Sequence, residues 1–300
     1  MADKVRLVLL LFIISGLYFC SDSLNKKHNN DIVNIQLKAK HIANFPDELF
    51  ESSGLLFDNH KLFTINDNAG LACIYGVDSI SGKITQEIML NNTKNFDWED
   101  ITSDSLYFYI GDFGNNFGAR RNLRILKIKK SEITNDKLIK VTADSITFDY
   151  KNQLDFRENE NTSYDCEAMI TVGNFLYLFS MNRGGNDCAI YKLPKDSGHF
   201  HLSPIAHFDA KGRITGATYN KSKNEVLLIG YSSIRNFPFI WRFNNFKNDE
   251  FTKGNQQFYS IGNEKFWQTE GITFAGNSKI YFSCEVSGEN PAGLYQVNLD

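Results

Sequence analysis

Three glutamates stand in a recurring short frame, and carboxylates repeated in this way could gather around one centre. The frames are Trp98-Glu99-Asp100-Ile101, Cys166-Glu167-Ala168-Met169 and Thr269-Glu270-Gly271-Ile272. Converging carboxylates could bind a hard cation or act as general acids and bases in hydrolysis. We therefore take Glu99, Glu167 and Glu270 as candidate metal ligands and as candidate catalytic groups.

Two degenerate copies of the frame carry a hydroxyl residue in place of the acid. They are Ser53-Gly54-Leu55 and Thr215-Gly216-Ala217, so the five copies are separated by 46, 68, 48 and 55 residues. A short apolar hairpin follows each copy. Internal repetition at this period is typical of a β-propeller, in which each repeat forms one blade.

The strand pattern predicts an all-β fold, a single propeller of five four-stranded blades. In the second repeat the predicted strands begin at Ile101 and continue over 106–110, 123–128 and 141–150. The last repeat supplies only three strands, so we expect an N-terminal strand over 32–39 to complete it and close the ring. Six blades are the alternative, because the 68-residue gap could contain an extra hairpin.

Antiparallel geometry predicts where the acids lie, because the start of a first strand and the end of a second strand share one rim of a blade. First strands line the central channel, so Glu99, Glu167 and Glu270 are expected to converge at its mouth. The predicted metal ligands are these three glutamates and Asp112. The predicted ligand-binding residues are Asn66, Asp67, Trp98, Asp112, Asn116, Asn182, Arg183, Tyr231 and Glu285.

Oxygen ligands without a histidine or cysteine set favour calcium or magnesium over zinc, and calcium is the expected cofactor. The alternative is that the acids cap backbone N–H groups or pair with Arg183 and Arg213. The histidines His199, His201 and His207 fall on the outer hairpin of the third repeat, and we interpret them as surface or packing residues.

Composition excludes several classes of protein. The chain is 42% hydrophobic and 14% aromatic with only 5 prolines, which indicates a folded core. A net charge of −3 disfavours nucleic-acid binding. No Gly-x-Ser-x-Gly, His-Glu-x-x-His, phosphate-loop or Cys-x-x-Cys motif occurs. We expect a monomer that binds a small molecule or a partner protein at the channel mouth.

The N-terminus predicts export. Lys4 and Arg6 precede an apolar run that ends at Cys20, so residues 1–19 are expected to form an export signal and Cys20 to carry a lipid. Residues 20–31 would tether the propeller, 32–300, to a membrane facing the periplasm or the cell surface. A secreted protein and a protein held by an uncleaved N-terminal anchor are the alternatives. Cys166 and Cys188 could form a disulfide or remain free thiols.

The Glu-Gly-Ile and Cys-Glu-Ala-Met frames resemble those of phytase-like, esterase-like and gluconolactonase-like (strictosidine-synthase-like) propellers. The chain also resembles exported propeller lipoproteins of Gram-negative bacteria that carry Trp-Glu-Asp-Ile, Gly-Asp-Phe-Gly-Asn-Asn and Thr-Glu-Gly-Ile. The enzymes imply a calcium ion at Glu99, Glu167 and Glu270, with Asn66 or Asp112, that assists hydrolysis of a phosphate ester or lactone. Ser53 and Thr215 replace the acid in two repeats. Because resemblance in fold alone does not establish an activity, we favour a binding module over a hydrolase.

Overall fold

Short strands joined by polar turns make up nearly all of the fold. The computed structural model describes residues 34–67, 70–234, 236–262, 267–276, 278–287 and 291–299. In chain order the strands are β1 (Asn34–Leu37), β2 (Lys40–Asn44), β3 (Ser52–Asp58), β4 (Lys61–Asn66), β5 (Cys73–Val77), β6 (Ile84–Leu90), β7 (Trp98–Ser103), β8 (Tyr107–Asp112), β9 (Arg124–Lys129), β10 (Leu138–Val141), β11 (Asp144–Tyr150), β12 (Asp165–Val172), β13 (Phe175–Met181), β14 (Asp187–Pro194), β15 (Gly198–Leu202), β16 (Ala206–Asp209), β17 (Arg213–Asn220), β18 (Glu225–Tyr231), β19 (Pro238–Asn244), β20 (Asn255–Ile261), β21 (Thr269–Phe274), β22 (Lys279–Cys284) and β23 (Gly293–Asn298). Three single-turn 3-10 helices span Asp47–Leu49, Lys130–Glu132 and Phe251–Lys253.

The strands form five sheets, which are the five blades of a β-propeller. Blade 1 contains β3 to β6, and blade 2 contains β7, β8, β9 and β11. Blade 3 contains β12, β13, β14 and β16, blade 4 contains β17 to β20, and blade 5 contains β21, β22, β23 and β2. The prediction of five blades is confirmed, and the long second repeat holds no sixth blade.

Burial changes from the inner to the outer strands of a blade, and the sequence pattern follows it. The second strands β13 and β18 are almost continuously apolar and buried, because neighbouring blades cover both of their faces. The outer strand β11 alternates buried and partly exposed residues. This period-two pattern is what a strand with one solvated face requires.

The core consists of layers between blades rather than one central cluster. Among the described residues, five clusters of buried apolar side chains each join two neighbouring blades. The cluster between blades 3 and 4 is rich in aromatic rings, including Phe179, Trp241 and Phe251. Burial between the blades therefore fixes the ring and holds the first strands around the axis.

An N-terminal strand closes the ring, but it is not the predicted one. The strand β2 pairs antiparallel with β23 and completes blade 5. The preceding strand β1, which occupies half of the predicted 32–39 segment, instead pairs parallel with β20 of blade 4. The two segments differ in strand direction relative to their partners, and only an antiparallel strand continues the meander of blade 5.

Three blades have a fifth, outer strand that comes from the next blade along the chain. The strand β10 interrupts blade 2 and pairs parallel with β6 of blade 1. Likewise β15 interrupts blade 3 and pairs parallel with β11 of blade 2, while β1 precedes the outer strand of blade 5 and joins blade 4. The predicted strand over 141–150 corresponds to β11 of blade 2, and only its first residue, Val141, belongs to β10.

The remaining predictions divide into those that the described residues cover and those that they do not. The predicted export signal (1–19), lipidation at Cys20 and tether (20–31) lie outside the described residues. Cys73, Cys166, Cys188 and Cys284 are buried free thiols, so Cys166 and Cys188 are not bonded. In the described part of the chain, no helix has the length and apolar character needed to cross a membrane.

Candidate functional site

The repeated frame corresponds to a β-bulge in the first strand of every blade. The ladder skips Glu99 between Trp98 and Asp100, and it skips Glu167 between Cys166 and Ala168. The same shift skips Thr215, the pair Ser53 and Gly54, and the pair Glu270 and Gly271. A bulge bends the strand and redirects the side chain of the extra residue. It therefore redirects the frame residue of each blade: Ser53, Glu99, Glu167 and Glu270 face one mouth of the ring, whereas Thr215 bonds to the neighbouring strand β21.

These side chains line a cavity of about 190 Å³ at that mouth. Its lining is formed by Glu51, Ser53, Asp67, Glu99, Asn116, Glu167, Arg183, Arg213, Tyr231, Gln268, Glu270 and Glu285. Six carboxyl groups face two guanidinium groups, a formal excess of four negative charges if all ionise. The predicted convergence of the three frame glutamates is present, and the cavity suits a small polar ligand.

Three carboxylates, two of which line the cavity, are close enough to share a cation. The ligand oxygens of Asp67, Asp97 and Glu99 lie within 4.8 Å of one another. Oxygens this far apart can contact a single calcium ion, because calcium–oxygen distances are about 2.4 Å. Arg120 is the nearest competing cation, with Nη1 3.7 Å from Asp97 Oδ2. The residues present thus fit a hard cation such as calcium.

The loop after β8 closes over these carboxylates at a glycine. A Cβ atom added at Gly114 would lie 2.0 Å from Glu99 Oε1 and 2.7 Å from Asp97 Oδ2. The backbone N–H of Gly114 also donates to the carbonyl of Asp97 at 3.2 Å. A larger residue here would have to displace the two carboxylates from these positions. The Gly-Asp-Phe-Gly stretch therefore serves the site through its backbone.

Burial and mutual repulsion make these acids hard to ionise. Burial, followed by the charges of Glu167 and Asp67, raises the pKa of Glu99 well above its ordinary value. Burial also raises the pKa of Asp97, although Arg120 opposes the shift. A bound cation would offset both effects, since an opposite charge favours the ionised form.

A second group of acids is neutralised by arginine. The Asp165 carboxylate accepts hydrogen bonds from Arg183 Nη1 at 2.5 Å and from the backbone N–H of Asn115 at 2.7 Å. Arg183 also lies 3.6 Å from Glu167 Oε1 and donates to Asn116. Burial, followed by the charge of Asp165, raises the pKa of Glu167 well above its ordinary value. One guanidinium thus holds two carboxyl groups and the loop after β8 together.

A third group lies across the cavity, in blade 5. Burial raises the pKa of Glu270 well above its ordinary value, with the charge of Glu285 the next cause and a hydrogen bond between the two carboxyl groups adding to it. Gln268 Nε2 donates to Glu285 Oε1 at 2.5 Å. Arg213 and Tyr231 line the cavity beside them. The Arg213 Nε atom is buried and has no hydrogen-bond partner among the described residues.

Four predicted site residues do not line the cavity. Asp112 is fully buried and pairs with Arg120 Nη2 at 2.9 Å and Arg124 Nε at 2.8 Å. Its carboxylate is therefore neutralised by arginine, and we do not propose it as a metal ligand. Asn66 Nδ2 donates to the carbonyl of Glu48 at 2.6 Å. Trp98 is buried in the layer between blades 1 and 2. Asn182 Oδ1 accepts from the backbone N–H of Gly184 at 3.0 Å, which stabilises a turn.

Sequence reasoning missed functional residues that share one position. They stand two residues before a frame residue, and they are Glu51, Asp97 and Gln268. The same position holds Asp165 in blade 3 and Arg213 in blade 4, and Arg213 was expected only as a partner of the acids. A spacing of two places side chains on one face of a strand, so a polar residue at that position in every repeat was the available signal.

Comparison with known proteins indicates remote likeness only. No protein-family model matches the chain, and no curated protein is similar to it in sequence. Solved structures that resemble it include hydrazine synthase from Kuenenia stuttgartiensis, at 12% identity and a TM-score of 0.40, over 83% of this chain and 62% of that one. This chain therefore spans less than two thirds of that protein.

Two further structures resemble this chain. A candidate 6-phosphogluconolactonase from Bacteroides uniformis ATCC 8492 has 9% identity and a TM-score of 0.38, over 86% of this chain and 67% of the other. A member of the DUF4221 family from Bacteroides vulgatus ATCC 8482 has 13% identity and a TM-score of 0.41, over 89% and 82%. Likeness at this level gives no ground for a shared activity.

Proposed function

We propose that this protein is an exported binding module that holds a calcium ion at the channel mouth and binds a small, oxygen-rich ligand beside it. The observation that carries the proposal is the convergence of Asp67, Asp97 and Glu99, whose ligand oxygens lie within 4.8 Å of one another. The cation would lower the repulsion among the buried acids, which otherwise need protons. Carboxylate oxygens are ligands that calcium prefers.

The opposite side of the cavity supports a ligand with an anionic group. Among the described residues, Arg213 forms no ion pair with an acid, and its buried Nε has no hydrogen-bond partner. Guanidinium groups recognise carboxylate and phosphate groups well, because they present several donors in a fixed plane. A bound cation on one side and Arg213 on the other would orient such a ligand across the cavity.

The proposed location rests on the sequence of the N-terminus. A basic start, an apolar run and Cys20 favour export and lipid attachment, so the cavity would face the periplasm or the cell surface. A calcium site suits such a compartment, because extracellular modules work with calcium affinities of about 10⁻⁴–10⁻³ M. The propeller would therefore hold its cation under ordinary extracellular conditions.

Cation binding is tested by thermal unfolding of the propeller with calcium, with magnesium and with chelator. We expect millimolar calcium to raise the melting temperature, and we expect Asp97→Asn and Glu99→Gln to remove the increase. At a calcium concentration 100 times the dissociation constant, the stabilisation is about 2.7 kcal/mol. Isothermal titration calorimetry gives the number of ions bound.

Glu51→Gln is the matched control, since Glu51 lines the same cavity outside the three converging carboxylates. It is expected to keep the calcium response. Absence of any shift with either cation would overturn the proposal.

Ligand binding is tested next: with calcium bound, the protein is examined for binding and for turnover of a panel of small carboxylates, phosphate esters and lactones. Turnover that disappears in Glu167→Gln would indicate a hydrolase in place of a binding module.

A further inference from the structure

A second group of metal-binding side chains lies on the outer surface of the ring. In the parallel pair of β11 and β15, Thr147 stands opposite His199 and Asp149 stands opposite His201. Residues two apart on a strand share a face, so these four side chains form a square on one surface. Asp149, His199 and His201 offer ligand atoms that lie within 4.8 Å of one another.

The three ligand atoms point at one another. His201 Nδ1 lies 2.8 Å and 3.0 Å from the two carboxylate oxygens of Asp149. His199 Nε2 lies 3.0 Å from Asp149 Oδ2. A tetrahedral ion with bonds of about 2.0–2.1 Å separates its ligands by about 3.3 Å. Only a small outward movement of the rings would therefore admit a metal ion.

A hydrogen bond orients the ring of His199. Thr147 Oγ1 lies 3.0 Å from His199 Nδ1 and 3.2 Å from the carbonyl oxygen of Gly198. Without a metal ion, His199 Nε2–H donates to the Asp149 carboxylate. With a metal ion on Nε2, the hydrogen of the neutral ring would lie on Nδ1 and be donated to Thr147 Oγ1. A second partner that orients the ring in this way is characteristic of metal-binding histidines.

We propose that Asp149, His199 and His201 bind a divalent transition-metal ion, with zinc the best fit, and that Thr147 positions His199. Two imidazoles and one carboxylate match the ligand preferences of zinc and differ from the all-oxygen set in the channel. All three residues are partly or largely exposed, so the ion would keep a coordination position for water or another ligand.

The site would also join two blades. The strand β15 is supplied by the chain of blade 3, whereas β11 belongs to blade 2. Both histidines come from β15 and the carboxylate from β11, so a bound ion would fasten the outer strand of blade 2 to the blade itself. Metal binding is therefore expected to raise the stability of the protein as well as occupy the site.

The test is titration of the full protein with Zn²⁺ and with Co²⁺. We expect one zinc ion per chain at this site and a visible Co²⁺ absorption band that reports nitrogen ligation. His199→Ala, His201→Ala and Asp149→Asn are each expected to weaken zinc binding by at least tenfold, and Thr147→Val by about tenfold. The side chains are exposed, so these variants should fold.

His207→Ala is the matched control, because His207 is exposed and pairs with a single carboxylate, Asp187, at 2.8 Å. It should leave zinc affinity unchanged. Glu99→Gln should also leave it unchanged, which separates this site from the channel. The proposal is overturned if the parent binds no zinc, or if the double variant of His199 and His201 binds zinc as tightly as the parent.

Discussion

The acidic frames of blades 2, 3 and 5 and the hydroxyl frames of blades 1 and 4 share a bulge but use it differently. In the hydroxyl frames the side chain bonds to the next blade: Ser53 Oγ donates to the carbonyl of Trp98 at 2.8 Å, and Thr215 Oγ1 donates to that of Thr269 at 2.6 Å. Both acceptors immediately precede the frame glutamate of the neighbouring blade. The hydroxyl frames therefore link blades, although Ser53 also lines the cavity, whereas the acidic frames supply charged groups to its lining.

This contrast shows how one backbone device serves two purposes. A hydroxyl is short enough to reach the adjacent strand, and it satisfies a carbonyl that the bulge leaves without a ladder partner. A glutamate is longer and extends past that strand into the cavity. The acids make the ring harder to stabilise, since buried like charges repel, while the hydroxyls hold it together.

The largest expected effect on stability comes from replacing the glycine of a hydroxyl frame with alanine. A Cβ atom at Gly216 would lie 2.2 Å from the carbonyl oxygen of Glu270, which is backbone and cannot rotate away. We expect Gly216→Ala to lower the free energy of unfolding by about 3 kcal/mol, measured by urea denaturation.

Gly185→Ala is its control, because an added Cβ there meets only the Asn182 side chain at 3.5 Å. A change of no more than about 0.5 kcal/mol is expected there. Equal effects of the two substitutions would show that the blades are not held at this close approach.

An intermediate effect is expected from removing the inter-blade hydroxyls. Thr215→Val keeps the shape but leaves the carbonyl of Thr269 without its donor, which costs about 1–3 kcal/mol for a buried group. Ser53→Ala should act in the same direction. Denaturation midpoints measure both changes, and unaltered midpoints would mean that the hydroxyls do not link the blades.

The smallest effect is a dependence of stability on pH that arises from the acidic frames. The pKa values of Glu99, Glu167 and Glu270 are raised above the unfolded value of 4.5, so the folded chain retains protons that the unfolded chain releases. Without divalent cations, stability should be fully present below about pH 4.5 and should fall as pH rises through the raised values.

Glu270→Gln should flatten this dependence and raise the melting temperature at neutral pH, because glutamine needs no proton. Glu132→Gln, at an exposed position, should change neither quantity. Profiles of melting temperature against pH, measured for the parent and for both variants, test these expectations. Stability that instead rises with pH over this range would show that the glutamates are ionised and compensated in the folded protein.

The fold could be predicted because it is built from local hairpins in a repeated order, and each repeat signals the next. The parallel outer strands could not, since β10 and β15 pair with blades whose sequences lie far away. In the site, the sequence pattern did not distinguish Asp112 from the other acids, because its ion pairs with Arg120 and Arg124 depend on the folded position of the following segment. Asp97 was not predicted because the bulge disturbs the simple alternation of a strand. Asp149 was not predicted because only the register between β11 and β15 places it opposite His201.

The borrowed outer strands make the five joints of the ring unequal. They fasten blade 1 to 2, 2 to 3 and 4 to 5, whereas the joint between blades 3 and 4 has the ring of Phe251 packed 5.0 Å from Tyr177. Between blades 5 and 1 the corresponding connection is a tight turn closed by a hydrogen bond from Gly82 N to Asp78 O. That joint also adjoins the blade in which both ends of the propeller meet. Opening of the ring should therefore cost different interactions at different joints: a joint covered by a borrowed strand would lose ladder hydrogen bonds, whereas the joints between blades 3 and 4 and between blades 5 and 1 would lose chiefly side-chain packing.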